Sequence, residues 1–245
     1  MHRFFVEEDN IKDNEIIITG ADVNHIKNVL RMKLDEEIVV SCGALTEYTC
    51  RITAFDSDGV IATIDKIKEV DIELKSPIYL FQGLPKSDKM ELVIQKSVEL
   101  GVFEIIPVAM KNCVVKLDSK KEASKLKRWQ SIATSAAKQA KRMVIPNVAA
   151  VKSFAEAIAQ AQALDICIMP YEKALNMNET KAFLNGIKVG QSIGVFIGPE
   201  GGFAEEEVML ARTVGVQTIT LGKRILRTET AGITMLSILM YLMEG

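Results

Sequence analysis

Ile193-Gly194-Val195-Phe196-Ile197-Gly198-Pro199-Glu200-Gly201-Gly202-Phe203-Ala204-Glu205-Glu206-Glu207 reads as a strand, a glycine turn and the opening of a helix. The first five residues are apolar and β-rich, the turn residues break them, and a helical pattern then runs through Val208, Ala211 and Val214. A second stretch repeats the design. Thr218-Ile219-Thr220-Leu221 breaks at Gly222 into Lys223-Arg224-Ile225-Leu226-Arg227-Thr228-Glu229-Thr230-Ala231, and an apolar helix continues to Met243. Upstream, Ile78-Tyr79-Leu80-Phe81 reads as a buried strand and Gly83-Leu84-Pro85-Lys86-Ser87 as a loop. A helix follows, with Asp88 and Glu91 in the reciprocal capping pattern, Met90, Val93, Ile94 and Val98 facing inward, and Gly101 at its end. Phe103-Glu104-Ile105-Ile106-Pro107-Val108 returns as a strand. Strand, helix and strand in that order predict parallel strands, so this part of the chain is α/β.

Two glycine turns at one sheet edge can line one pocket, because glycine lets backbone N–H and C=O groups approach a ligand. The same residues also suit a plain tight turn that needs positive φ, and composition leaves both readings open. The phosphate cradles are disfavoured: there is no Gly-x4-Gly-Lys-Ser/Thr, and no Gly-x-Gly-x-x-Gly follows an early strand.

Ile197-Gly198-Pro199-Glu200-Gly201-Gly202-Phe203, followed at this spacing by Leu221-Gly222-Lys223-Arg224-Ile225-Leu226-Arg227-Thr228-Glu229-Thr230-Ala231, closely resembles the RsmE family of ribosomal RNA methyltransferases. The likeness extends to Met1-His2-Arg3-Phe4-Phe5-Val6, His25-Ile26-Lys27-Asn28-Val29-Leu30-Arg31, Lys86-Ser87-Asp88-Lys89-Met90-Glu91 and Gln95-Lys96-Ser97-Val98-Glu99-Leu100-Gly101-Val102, and so covers nearly the whole chain. The resemblance implies a SPOUT-class parallel-sheet domain with a C-terminal trefoil knot, preceded by a small PUA-like β-barrel that binds RNA. It implies S-adenosylmethionine as cofactor, and N3 of a uridine in 16S rRNA of the 30S subunit as acceptor. It places the cofactor on Met169, Pro170, Ile197, Gly198, Gly202, Leu221, Gly222, Ile225, Leu226 and Ala231. Arg227 and Glu229 become the polar groups that handle the base. Arg227 would stabilise a uridine anion, and Glu229 would accept the proton or orient Arg227. Glu229 reads equally as a helix-start carboxylate serving backbone N–H groups. Two alternatives stay open: a SPOUT enzyme acting on tRNA or a ribose 2′-hydroxyl, and a non-catalytic RNA-binding or assembly protein.

The composition, 48% hydrophobic with 25% charged, suits a folded protein long enough for two domains, expected at 1–72 and 73–245. The longest apolar stretch, near the C-terminus, is too short to span a bilayer, and no signal-peptide core opens the chain, so a cytoplasmic protein is expected. Cys42, Cys50, Cys113 and Cys167 are scattered and only His2 and His25 accompany them, so neither a metal site nor a disulfide framework is expected.

Charge is unevenly spread. Residues 111–152 carry eleven Lys or Arg against two carboxylates, a net of +9, whereas residues 1–72 carry eight against fifteen, a net of −7. A polyanion should therefore meet the middle of the chain, although a solvated basic helix face has the same signature. The RNA contacts expected are Lys125, Lys127 and Arg128, with Gln139 and Arg142 behind them and Arg3 and Arg31 in the acidic N-terminal part.

In that part, Glu37-Ile38-Val39-Val40-Ser41, Tyr48-Thr49-Cys50-Arg51-Ile52-Thr53 and Val60-Ile61-Ala62-Thr63-Ile64 read as strands. They are joined through Gly43 and an Asp56-Ser57-Asp58-Gly59 turn, and a helix over residues 22–30 starts at Asp22. Further on, residues 122–143 read as one basic helix ended by Pro146, Ser153 and Glu156 as a capping box, and Asp165-Ile166-Cys167-Ile168-Met169 as a strand. The apolar helix over residues 230–243 covers more than one face, so a homodimer is expected.

Overall fold

The computed structural model describes residues 1–43, 45–57, 59–174 and 176–244. Asp58, part of an expected turn, lies outside them. The chain divides into two compact units, one of Met1–Glu73 with Ala137–Ile145 and one of Leu74–Ala136 with Pro146–Gly245.

The first unit is a mostly antiparallel sheet of β1 (His2–Phe5), β2 (Ile11–Lys12), β3 (Glu15–Thr19), β4 (Glu37–Ser41), β5 (Thr46–Phe55) and β6 (Gly59–Glu69), in the order β1-β4-β5-β6-β3-β2. Among the described residues of this sheet, only β1 and β4 pair in parallel. Alternation sets the buried face: Ile16 and Ile18 of β3 and Val60, Ala62 and Ile64 of β6 join Phe4, Ile38, Val40 and Ile52 in one core. Ile26 comes from the helical segment, which differs from expectation. Its first turn, α1 (Ala21–Asn24), widens into a π-helical stretch, His25–Leu30, that ends at Arg31 in the left-handed conformation (φ 54°). Asp22 does not cap it, because Gly20 occupies the cap position and the Asp22 carboxylate takes the Lys138 ammonium at 2.7 Å.

Residues 137–145 depart from the division at residue 72 because buried polar bonds tie them to the first unit. Ser41 Oγ donates to the Met143 carbonyl at 2.9 Å, and Glu73 accepts from Arg142 Nε at 3.0 Å and from the Met143 N–H at 2.8 Å.

The second unit holds a parallel sheet. Its elements are β7 (Ile78–Gly83), α2 (Lys89–Glu99), β8 (Glu104–Ala109), α3 (Ser119–Gln139), β9 (Asn147–Val148), β10 (Lys152–Ser153), α4 (Phe154–Ala161), β11 (Ile166–Pro170), α5 (Met177–Asn185), β12 (Ile193–Ile197), α6 (Glu205–Thr213), β13 (Gln217–Ile219) and α7 (Thr228–Met243). The last residues of α3 fall in the first unit. Strand order is β10-β8-β7-β12-β11-β13, with β9 also on β8. Every residue of β12 is buried, as a central strand covered on both faces requires. Phe81 of β7 and Phe196 of β12 stack at 4.4 Å, and Phe154 of α4 closes on Phe196 at 6.0 Å.

Local signals were obeyed unevenly. The Ser153 and Glu156 capping box forms, with both reciprocal bonds. The one expected at Asp88 and Glu91 does not: Asp88 (φ −94°, ψ 5°) is not extended as a capping residue is, and the Glu91 carboxylate goes to Arg128 at 2.7 Å. Gly101 (φ 85°) follows the end of α2 as expected. α3 ends at Gln139, before Lys141 takes a left-handed φ of 59°, rather than running to residue 143.

Candidate active site

Strands β7, β12, β11 and β13 are mutually parallel through their neighbours, so their carboxyl ends share one edge, where ligands bind in open α/β sheets. The loops leaving β12, β13 and β11 enclose there a cavity of about 430 Å³, together with the start of α7. After β12, the Gly202 N–H donates to the Pro199 carbonyl at 2.9 Å, and Asn112 Nδ2 donates to the Gly201 carbonyl at 3.2 Å. This turn packs on β7 so closely that a Cβ at Gly83 would stand 2.7 Å from Pro199 N; only glycine fits. After β13, Gly222 (φ 117°) turns the chain back, its N–H donating to Thr220 Oγ1 at 3.2 Å. Thr228, the first residue of α7, donates through Oγ1 to the Gly198 carbonyl at 2.6 Å and accepts from Gln82 Nε2 at 2.9 Å. One buried hydroxyl thus joins a strand end, a turn and a helix start.

Of the residues expected around a cofactor, Pro170, Ile197, Gly198, Gly202, Leu221, Gly222, Ile225, Leu226 and Ala231 line this cavity. Met169 does not, being fully buried in the core beside Phe81 and Phe196. Ile225, although a lining residue, is 88% exposed. Arg227 lines the cavity at the N-cap of α7. Glu229, the second residue of α7, is not a lining residue; its Oε2 is buried and lies 3.4 Å from the Lys89 ammonium.

Lys89, the first residue of α2, stands in a quoted motif but was given no role at the site, nor were Glu200, Lys223 and Arg224; Glu172 was likewise not assigned, and all five are in the lining. A signal existed, since Lys89 opens the helix after β7, at the strand end where parallel sheets place function. Its ammonium also meets Glu200 Oε1 at 3.0 Å, and Glu200 takes the Lys86 N–H at 3.0 Å. Burial pushes the Glu200 carboxyl up, but backbone N–H groups and Lys89 outweigh it and hold the group below the usual range. The hydrogen bond that Lys89 donates to Glu200, with the charges of Glu200 and Glu229, raises Lys89 above an ordinary lysine.

The basic residues are distributed differently from expectation. Lys127 and Gln139 of α3 are exposed. Lys125 lies 5.9 Å above the Trp129 ring, and Arg128 pairs with Glu91 while staying largely exposed. Arg31 is exposed, whereas Arg3 is paired with Glu47. Arg142 is buried, and its guanidinium is spent on Glu73, which withdraws it from any phosphate. Among the described residues no group of His, Cys, Asp and Glu is arranged to hold a metal, and no helix is long and apolar enough to cross a membrane.

Comparison with known proteins places these features. Residues 73–240 match the RNA methyltransferase domain and residues 18–65 the RNA methyltransferase PUA domain. The sequence is 38% identical to the ribosomal RNA small subunit methyltransferase E of Bacillus subtilis (strain 168), over 100% of this chain and 98% of that protein. Among solved structures it resembles a putative methyltransferase from Legionella pneumophila determined with bound SAM (30% identity, TM-score 0.85, 98% of this chain and 96% of that one). It also resembles a ribosomal RNA small subunit methyltransferase E from Neisseria gonorrhoeae bound to S-adenosyl methionine (33% identity, TM-score 0.84, 99% and 98%).

Proposed function

The chain belongs to the ribosomal RNA small subunit methyltransferase E family, and on that premise we propose that it methylates N3 of a uridine in 16S rRNA of the small ribosomal subunit, with S-adenosylmethionine as donor. The observation that carries this reading is the convergence of both glycine turns, Arg227 and the start of α7 on one cavity. At about 430 Å³ the cavity falls within the range of small-molecule sites, roughly 300–1,000 Å³. Its walls combine an apolar side (Ile197, Leu221, Leu226, Ala231) with turn backbone and the Glu172 and Glu200 carboxylates. That set suits a molecule with a flat apolar base and hydroxyl groups.

When bound, S-adenosylmethionine supplies an electrophilic methyl group. The chain's own residues supply position and charge. Arg227 faces the negative charge that develops on the base, and the carboxylate of Glu229, two residues further on in α7, takes the N3 proton. Residues 1–72 act as an RNA-binding domain and residues 73–245 as the catalytic one. Phosphates are held by Lys125, Lys127 and Arg128, and Gln139 and Arg31 are further exposed contacts. The enzyme works in the cytoplasm as a homodimer through α7, where Ile238 and Leu242 border an apolar cavity of about 250 Å³ and Tyr241 is 81% exposed.

The test is incubation with 30S subunits or 16S rRNA lacking the modification, followed by mass spectrometry of the nucleosides. The expected product is 3-methyluridine, formed by the wild type and much more slowly by Arg227→Ala at saturating RNA and cofactor. A methyl group on ribose, modification of tRNA instead, or no incorporation would refute the reading. A monomeric mass in light scattering at micromolar concentration would refute the dimer.

A further inference from the structure

Three elements that meet at the cavity are joined by one ammonium group. Lys89, at the start of α2, lies 3.0 Å from Oε1 of Glu200, in the turn after β12, and 3.4 Å from Oε2 of Glu229, in the first turn of α7. The three side chains are only 27%, 26% and 15% exposed, so the cluster is partly withdrawn from water, where charge pairs are felt more strongly. Two carboxylates reaching for one cation repel each other once it is removed.

The two contacts are unequal. Glu200 is anchored twice, through Lys89 and the Lys86 N–H, whereas the buried Glu229 Oε2 meets only the Lys89 ammonium, at the longer distance of 3.4 Å. Glu229 is therefore held chiefly by the charge of Lys89.

We infer that Lys89 is a positioning residue: clamped to Glu200, it fixes the orientation of the Glu229 carboxylate in the first turn of α7, from which that carboxylate accepts a proton from an N–H of the nucleobase. This rests on the proposed role of Glu229. The proton leaves the base nitrogen for the Glu229 carboxylate, the nitrogen lone pair so released forms the new bond to the methyl carbon, and the carbon–sulfur bond electrons leave with the sulfur. Lys89 neither gains nor loses a proton.

The experiment compares Lys89→Met, Lys89→Arg, Glu229→Gln and the double variant Lys89→Met with Glu229→Gln. Single-turnover rates are measured at saturating RNA and cofactor, alongside cofactor affinity by calorimetry, RNA affinity by fluorescence anisotropy, and Tm. Lys89→Met should lower the rate on the order of 10- to 100-fold, as for a reacting group displaced by about 1 Å, while both affinities stay within about threefold. Lys89→Arg should recover most of the rate. The double variant should be no slower than Glu229→Gln alone, because the lysine has nothing left to position. Should Glu229→Gln methylate at the wild-type rate, the role of Glu229 fails and the inference with it. When Glu229→Gln is slow but Lys89→Met is not, the function stands and the inference is overturned. Multiplying rate losses in the double variant, or a Lys89→Met defect confined to affinity or Tm that arginine does not relieve, overturn it too.

Discussion

Replacing Gly83 by alanine asks whether close backbone approach at the end of β7 holds the cavity in shape. The added Cβ would lie 2.7 Å from Pro199 N, 2.8 Å from Pro199 Cδ and 2.9 Å from Met110 Sδ. Favourable carbon contacts sit at about 3.5–4.0 Å, so the turn carrying Gly198 and Glu200 must retreat by about 1 Å. Overpacking of this kind costs about 1–3 kcal/mol, and the lower unfolded-state entropy of alanine offsets about 0.4–1 kcal/mol. A net loss of about 1–2 kcal/mol should lower Tm by roughly 2–8 °C for a unit of this size. Because the displaced turn lines the cavity, S-adenosylmethionine affinity measured by calorimetry should fall about tenfold, equivalent to about 1.4 kcal/mol. Gly215→Ala is the control. Gly215 has φ 88° with nothing within 4 Å of where an added Cβ would stand, so alanine there incurs left-handed strain of about 1–2 kcal/mol but moves no cavity wall. Wild-type Tm and cofactor affinity for Gly83→Ala would refute the reasoning, as would an equal loss of cofactor affinity in Gly215→Ala.

Reversing Lys125, Lys127 and Arg128 to Glu should weaken RNA binding and flatten its salt dependence while leaving cofactor affinity unchanged, since these charges act through phosphates; an unaltered salt slope in anisotropy titrations would count against that face. Glu73→Ala removes one acceptor of the buried Arg142 guanidinium and that of the Met143 N–H, and should destabilise the first unit by about 1–3 kcal/mol, read as a drop in the urea midpoint. Burial pushes the Cys167 thiol up to about 11. At pH 8 only about one molecule in a thousand would then carry the reactive thiolate, so iodoacetamide should spare Cys167 until the chain unfolds, and rapid native labelling of its peptide would contradict the burial.

Where the signal is local, residues announced their structure. Ser153 and Glu156 satisfy each other across one helical turn, and no distant group competes for them. The same pattern at Asp88 and Glu91 failed because Arg128, 37 positions away, offered the carboxylate a charged partner. Asp22 was likewise diverted, by Lys138. Short-range hydrogen bonds can be read from spacing, whereas a charged side chain answers to whichever counter-ion the fold brings nearest. β3 carries three consecutive isoleucines and was passed over, since an unbroken apolar run has no alternation to mark it, yet only Ile16 and Ile18 face the core.

The sequence by itself determined most of the strands and helices of the second unit, though not α5, β9 or β10, together with the glycine turns that end β12 and β13 and about half of the residues that line the cavity, because these depend on local backbone preference and on motifs contiguous in the chain. Tertiary structure alone decided which charges are available. It took Arg142 out of contention by pairing it with Glu73 in a buried site, sent Met169 into the core one residue from the lining Pro170, and set Lys89 between Glu200 and Glu229. Those three carboxylate partnerships join residues 69, 111 and 140 positions apart, and no local pattern can encode a distance that only the packed sheet and its flanking helices create.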